Sequence, residues 1–225
     1  MKTISALAAL LAFVFSFALG AYGEEREAAR IENSVAVFKE VMDIPEKSIP
    51  PALLNEAHGV AIIPGVIKAG FIVGGRHGKG VVMVREGGAW SNPAFVSFTG
   101  GSIGWQIGAQ SIDVILVFKS KRGVEDMIKG KFTLGADAAV AAGPVGRQAE
   151  AATDAQLKAE IYSYSRSRGL FAGVSLEGSV LSIDDDANAA YYGDAPAASI
   201  LTPGAVSSPP AARKLREALA SYTSR

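Results

Sequence analysis

Glycine sits in or beside nearly every strand pattern of this chain, at Gly74-Gly75, Gly87-Gly88, Gly100-Gly101, Gly104, Gly108, Gly173 and Gly178. A glycine weakens a strand unless the sheet needs a bulge, a sharp bend or a close approach of backbones. Repeated use of it predicts an α+β fold: a strongly curved, glycine-rich antiparallel sheet, barrel-like or a bent sandwich, with helices packing at the N- and C-terminal ends.

The strands themselves read as short β-branched runs, Val60 to Ile63, Phe71 to Val73 and Val81 to Arg85, separated by glycine-rich breaks. The segment GGRHGKG, Gly74 to Gly80, reads as a hairpin turn between two of them. Further on, Ile103, Trp105, Ile107 and Ala109 alternate with small or polar residues, giving one apolar face. Ile112, Val114, Leu116 and Phe118 continue in the opposite phase, which calls for a turn or bulge near Gln110-Ser111 to restore the register. A similar alternation returns at Leu170, Ala172, Val174 and Leu176.

Around these strands lie helical signals. Ala28, Ile31, Val35, Phe38 and Met42 recur at steps of three and four, while Glu25, Arg26, Glu32, Lys39 and Glu40 fall opposite, so 24–43 predicts an amphipathic helix. Its polar side is mostly acidic, which favours covering a core over lying on a membrane. A shorter helix is expected from Pro50-Pro51 through Ala57, with Ser48 as its cap. Two more are expected around Gly123 to Lys129 and from Pro210 to Tyr222, the latter with Leu215, Leu219 and Tyr222 on one side. Asp184 or Asp185 would cap a short helix ending near Tyr192-Gly193. The stretch from Asp194 to Pro210 reads as an irregular connection.

The N-terminus has a different character. Met1-Lys2 is followed by an apolar run from Ile4 to Leu19, then by small residues and by Glu24-Glu25-Arg26. That is the layout of a signal peptide, 1–23, cut after Gly20 or Gly23; the run is shorter than the roughly 20 residues a spanning helix needs. The expectation is an exported protein, periplasmic or secreted and peripheral to the membrane, with one domain over 24–193 and a C-terminal helix in 194–225 that packs on it. Cysteine is absent, so disulfides and thiolate metal sites are excluded. With 22 basic and 22 acidic residues, the chain lacks the basic excess of a nucleic-acid binder.

Catalytic material is sparse. His58 and His77 are the two histidines, too few for a triad set beside a histidine metal site. GGRHGKG lacks the order of a phosphate loop and precedes a strand, Val81 to Val84, rather than a helix. Asp184-Asp185-Asp186 with Asn188 departs from calcium-loop spacing. Asp113, inside an apolar strand, is expected to be a partly buried, hydrogen-bonded structural carboxylate. No enzyme, cofactor or metal site is expected.

The glycine and aromatic pattern resembles the SYLF family, a lipid-binding domain related to a yeast actin-binding-protein domain, with many bacterial exported members. The matching residues are His58 to Pro64, Lys68 to Arg76, Gly80, Arg85, Trp90-Ser91-Asn92-Pro93, Gly104 to Gln110, Asp113, GPVGR at Gly143 to Arg147, and the run Tyr162 to Gly178. The resemblance covers about Glu24 to Gly193 and implies non-enzymatic binding of an anionic phospholipid or membrane surface in the cell envelope. The alternative is an envelope scaffold with a protein partner. No SH3 or zinc-binding segment accompanies the domain, so actin-linked and endosomal roles are not expected to transfer. Two cationic groups would carry the lipid contact: Lys68, Arg76, Lys79 and Arg85 around the first glycine-rich segment, and Lys119, Lys121, Arg122, Lys129 and Lys131. Each basic side chain near an acidic membrane contributes about 1 kcal/mol, less as salt rises. An apolar surface near Phe71, Trp90 or Phe171 would receive acyl chains.

Overall fold

Strands β1 (Gly59–Glu86) and β3 (Ala94–Phe118) form one long antiparallel ribbon, paired from Gly59↔Phe118 to Val82↔Ala94. This computed structural model describes residues 23–44, 48–145, 159–167, 170–171 and 176–223. The signal segment expected over 1–23 lies outside them apart from its last residue.

The ribbon is unbroken where glycines cluster. Gly74 through Gly80 pair in succession with Ser102 through Val96, so GGRHGKG is strand and not the expected hairpin, and the three strands expected between 60 and 85 are one. A glycine keeps its N–H and C=O, and the ladder needs nothing more. The turn falls instead at Gly87-Gly88, with φ of +56° and +85°. It joins β1 to β2 (Ala89–Trp90) as a two-residue hairpin whose twist matches the strands.

Glycine lets the ribbon double back. A Cβ on Gly80 would stand 2.2 Å from the Ile62 carbonyl oxygen and 2.7 Å from Ile63 Cα; one on Gly78 would stand 2.8 Å from Val66 Cγ2. The second half of β1 therefore crosses its first half backbone against side-chain stem, and the Arg85 N–H donates to the His58 carbonyl at 2.9 Å. The remaining strands extend β3 on its other edge. β6 (Ile161–Ser167) pairs with Asp113–Phe118, and β8 (Val180–Ile183) with Val96–Thr99. β4 (Phe132–Thr133) joins β8, β5 (Val140–Ala142) runs parallel beside β6, and β7 (Leu170–Phe171) returns on β6. The product is the expected α+β architecture, an eight-stranded sheet curled into a half-barrel.

The phase change in β3 is resolved elsewhere than expected. β3 runs straight through Gln110-Ser111, paired to Lys68 and Ile67. One register shift lies on β1 between Ile63 and Val66, the other where Gly70 and Ile72 oppose Gly108 and Gly104. An extra residue on either strand compensates a slip equally well, so one strand's alternation cannot tell which carries it.

Both faces of the sheet are buried. Val60, Ile62, Val81, Met83, Phe95 and Val117 face the helices, while Ala61, Ile63, Val82, Val84, Val114 and Leu116 face the inside of the curl. Helix α1, residues 23–42, lays Ile31, Val35, Phe38 and Met42 on the outer face, as core cover. Helix α2 (Pro51–Asn55) adds Leu53 and Leu54; Pro50, not Ser48, stands at its N-cap. Helix α3 (Lys121–Ile128) closes the inner core with Val124 and Met127. Asp184 caps helix α4 (Asp185–Tyr192) by accepting from the Ala187 N–H, and Gly193 ends it. The expected irregular connection contains a short helix, α5 (Ala197–Ile200), with Ile200 buried. Helix α6 (Pro210–Thr223) packs Leu215 and Leu219 beside α1. Among the described residues no helix is long and apolar enough to cross a membrane.

Candidate functional site

Helix α3 begins where Ser120 accepts from the Gly123 N–H at 3.0 Å. Gly123, Val124 and Met127 face inward, which turns Lys121, Arg122 and Lys129 outward with 66%, 83% and 71% of their side chains exposed. Lys119 enters the same segment, paired with Glu56 at 3.1 Å, and exposed Lys131 leaves it. Five cations thus stand within 119–131 against Glu125 and Asp126, a net charge of +3 (five minus two). Lys121 meets Glu125 at 3.6 Å, Arg122 meets Asp126 at 3.5 Å, and Lys129 meets Asp126 at 3.0 Å. The Lys129 hydrogen bond holds the Asp126 carboxyl below its ordinary value. Pairs this exposed contribute little and exchange readily with other anions.

The first expected cluster is not a cluster. Lys68 sits half-buried opposite Gln110. Arg76 is 9% exposed, and burial lowers its pKa. Lys79 bonds Asp184 at 2.8 Å. Arg85 donates to the Asn55 carbonyl at 2.9 Å and to the Thr223 carbonyl at 3.4 Å, so it ties together the C-terminal ends of α2 and α6. These four lie along a 28-residue strand that doubles back, which separates neighbours in sequence onto different surfaces. Trp90 is no acyl-chain surface either. It is 3% exposed, its Nε1–H donates to Thr223 Oγ1 at 3.1 Å, and the Arg85 guanidinium stacks 5.9 Å from its ring. The side chains of Phe71 and Phe171 lie outside the described residues.

Asp113 takes the structural role expected of it. Its Oδ1 accepts from the Gly65 N–H at 2.9 Å, pinning the bulge, and its Oδ2 lies 3.3 Å from Arg166 Nη2, which also pairs with Glu40 of α1. Asp184 is committed to Lys79, Arg30 and the helix cap rather than to a cation site. Burial would raise its pKa, but Lys79, the Ala187 N–H and Arg30 outweigh burial and hold it below the ordinary carboxylate value. Glu27, fully buried between Arg26 and Arg30, escaped sequence reading because it lies on the apolar side of α1. The flanking arginines were the available signal. Among the described residues no group of three or more His, Asp or Glu side chains could hold a metal.

A curled half-barrel covered by helices, with Lys119, Lys129 and Lys131 flanking α3 at one end, defines a small α+β domain. The Ysc84 family model, described as Las17-binding protein actin regulator, matches residues 99–222, more than half of the chain, and the protein belongs to that family. The chain is 38% identical over 202 residues to Protein YSC84 of Saccharomyces cerevisiae, covering 88% of this chain and 43% of that protein. It is 39% identical over 204 residues to SH3 domain-containing YSC84-like protein 1 of Xenopus laevis, covering 89% and 60%. With SH3 domain-containing protein PJ696.02 of Schizosaccharomyces pombe the figures are 41% over 201 residues, 87% and 46%. The chain thus spans roughly half the length of these relatives.

Proposed function

We propose that this chain is a non-enzymatic binding module that docks on anionic membrane surfaces through α3 and its flanks. The observation that carries this is the net charge of +3 over 119–131, which comes from Lys119, Lys129 and Lys131 on the flanks of α3, whose own Lys121 and Arg122 are balanced by Glu125 and Asp126 and whose opposite side is locked into the inner core. A rigidly held cationic face gains on the order of 1 kcal/mol per basic residue at an acidic leaflet, and several residues together give useful affinity. Lys68, Arg76, Lys79 and Arg85 contribute less to this reading, being separated or engaged within the fold. Export belongs to the same proposal: the apolar run from Ile4 to Leu19 supports a cleaved leader and a place in the cell envelope, as in exported bacterial members of the family. Mass spectrometry of the mature N-terminus tests that part, and an intact Met1 would refute it.

Vesicle co-sedimentation tests the membrane part. Recovery should be high with phosphatidylserine-containing vesicles, low with phosphatidylcholine alone, and should fall with salt and in the double variant Lys121→Glu, Arg122→Glu. Equal recovery in all arms would remove the electrostatic reading.

A protein partner is the second reading, supported by the family's description as Las17-binding protein actin regulator and by relatives named LAS seventeen-binding protein 3. Cross-linking in the native cell should then yield one dominant protein partner while the purified chain ignores both vesicle types.

A further inference from the structure

We propose that Asp126 sets how densely anionic a surface must be before α3 and its flanks dock on it, because this one carboxylate stands against two of the docking cations. The inference deepens the membrane reading and rests on it. Asp126 Oδ2 lies 3.5 Å from Arg122 Nε, one turn earlier, and Asp126 Oδ1 lies 3.0 Å from Lys129 Nζ, one turn later. Lys121 and Lys119 each face a carboxylate of their own, Glu125 at 3.6 Å and Glu56 at 3.1 Å. With Glu56 counted, five cations stand against three carboxylates, a net charge of +2 (five minus three). Lys131 has no ion pair among the described residues.

Positions 122, 126 and 129 fall at steps of four and three, so they line one stripe of α3 and its C-cap. Val124 and Met127 are fixed in the inner core, which keeps that stripe from rolling the carboxylate away from its cations. Asp126 is the least exposed of the three, with 34% of its side chain exposed against 83% for Arg122 and 71% for Lys129. An approaching anion therefore meets the cations first. The Lys129 hydrogen bond keeps the Asp126 carboxyl below its ordinary value, so the residue carries its charge at neutral pH.

An anion that draws off Arg122 and Lys129 takes both partners from Asp126, which then stays charged beside the newcomer. One isolated anion replaces one contact and leaves the other loss uncompensated. Several anions close together replace both. From 122 to 129 the helix rises about 10 Å, and charges in physiological salt act on each other over about 8 Å. The partner is accordingly a surface whose anionic groups crowd within the span of this stripe, rather than one on which they are scattered.

Vesicle co-sedimentation of the full chain across a series of phosphatidylserine fractions tests this. Wild type should bind above a threshold fraction. Asp126→Asn should lower that threshold and tighten binding at a fixed fraction by about fivefold, the worth of one charge at an acidic leaflet. Glu125→Gln, which frees Lys121 alone, should shift it less. Glu25→Gln makes the same change in total charge on α1, over the outer face, and should leave the threshold where wild type has it. An unchanged threshold in Asp126→Asn would overturn the inference, and so would equal shifts in Asp126→Asn and Glu25→Gln. Retention on a sulfonate resin, a dense anionic surface without lipid, separates the two proposals. Asp126→Asn should elute at higher salt than Glu25→Gln. That difference, with no variant recovered on pure phosphatidylserine vesicles, would remove the membrane reading and uphold the role of Asp126; equal elution would remove the role.

Discussion

On the outer face of the sheet, Ile62, Met83 and Val117 pack in one cluster with Phe38, Leu54 and Leu219 of the helices, and ion pairs at the rim fix α1 through Arg30 with Asp184 and Glu40 with Arg166. On the inner face, Gly80 lies directly on the backbone of Ile62 and Ile63, and Gly78 on the side-chain methyls of Ile63 and Val66. The outer face closes by adding layers, so a lost contact leaves a cavity that neighbours can partly fill. At Gly80 the inner face closes by omitting a side chain, so an added atom there meets backbone. The same sheet is forgiving on one side and unforgiving on the other.

The strongest way to break this contrast is Gly80→Ala. The new Cβ would meet the Ile62 carbonyl, which cannot rotate away, and the expected loss is about 3 kcal/mol or more, read by urea denaturation. A loss below that of an ordinary surface change would show that the ribbon can splay. Next comes Asp113→Ala, expected to cost about 2 kcal/mol because it leaves the Gly65 N–H without its acceptor and Arg166 with Glu40 alone. Hydrogen exchange should rise first at Gly65 and Val66.

Asp184→Ala should cost about 1 kcal/mol through the lost cap of α4. Its pH dependence sharpens the prediction. The folded carboxyl lies below the ordinary value of 3.8, so its stabilisation is complete above that value and is lost as pH falls through the folded one. The acid limb of a stability profile should therefore flatten in Asp184→Asn. The smallest effect belongs to α3: Lys121→Ala with Arg122→Ala should change stability by no more than about 0.5 kcal/mol in thermal melts. Binding to acidic vesicles should drop in the same variant, separating the surface that binds from the layers that fold.

Helix positions were legible because they depend on local rules. The three- and four-residue spacing of Ile31, Val35, Phe38 and Met42 is the buried stripe of α1, and Asp184 with Gly193 bounds α4 as their chemistry requires. Strand boundaries were less so. The seven residues Gly74 to Gly80 carry the composition of a turn, yet pairing with β3 supplies the hydrogen bonds that hold them extended. Of the two cationic groups, the one within 119–131 stayed together because a two-turn helix keeps sequence neighbours adjacent in space. The other was dispersed because a strand separates its residues by about 3.3 Å each and this strand turns back.

By itself the sequence determined that the sheet would be curved and that helices would cover it, since glycine content and apolar period are local properties. Only the tertiary structure decided where the curl closes, and that Arg76 turns inward while Arg85 clamps two helix ends. Those outcomes depend on which distant segments meet, and a register spanning sixty residues of ribbon is fixed by packing on both faces at once, not by any one stretch of chain.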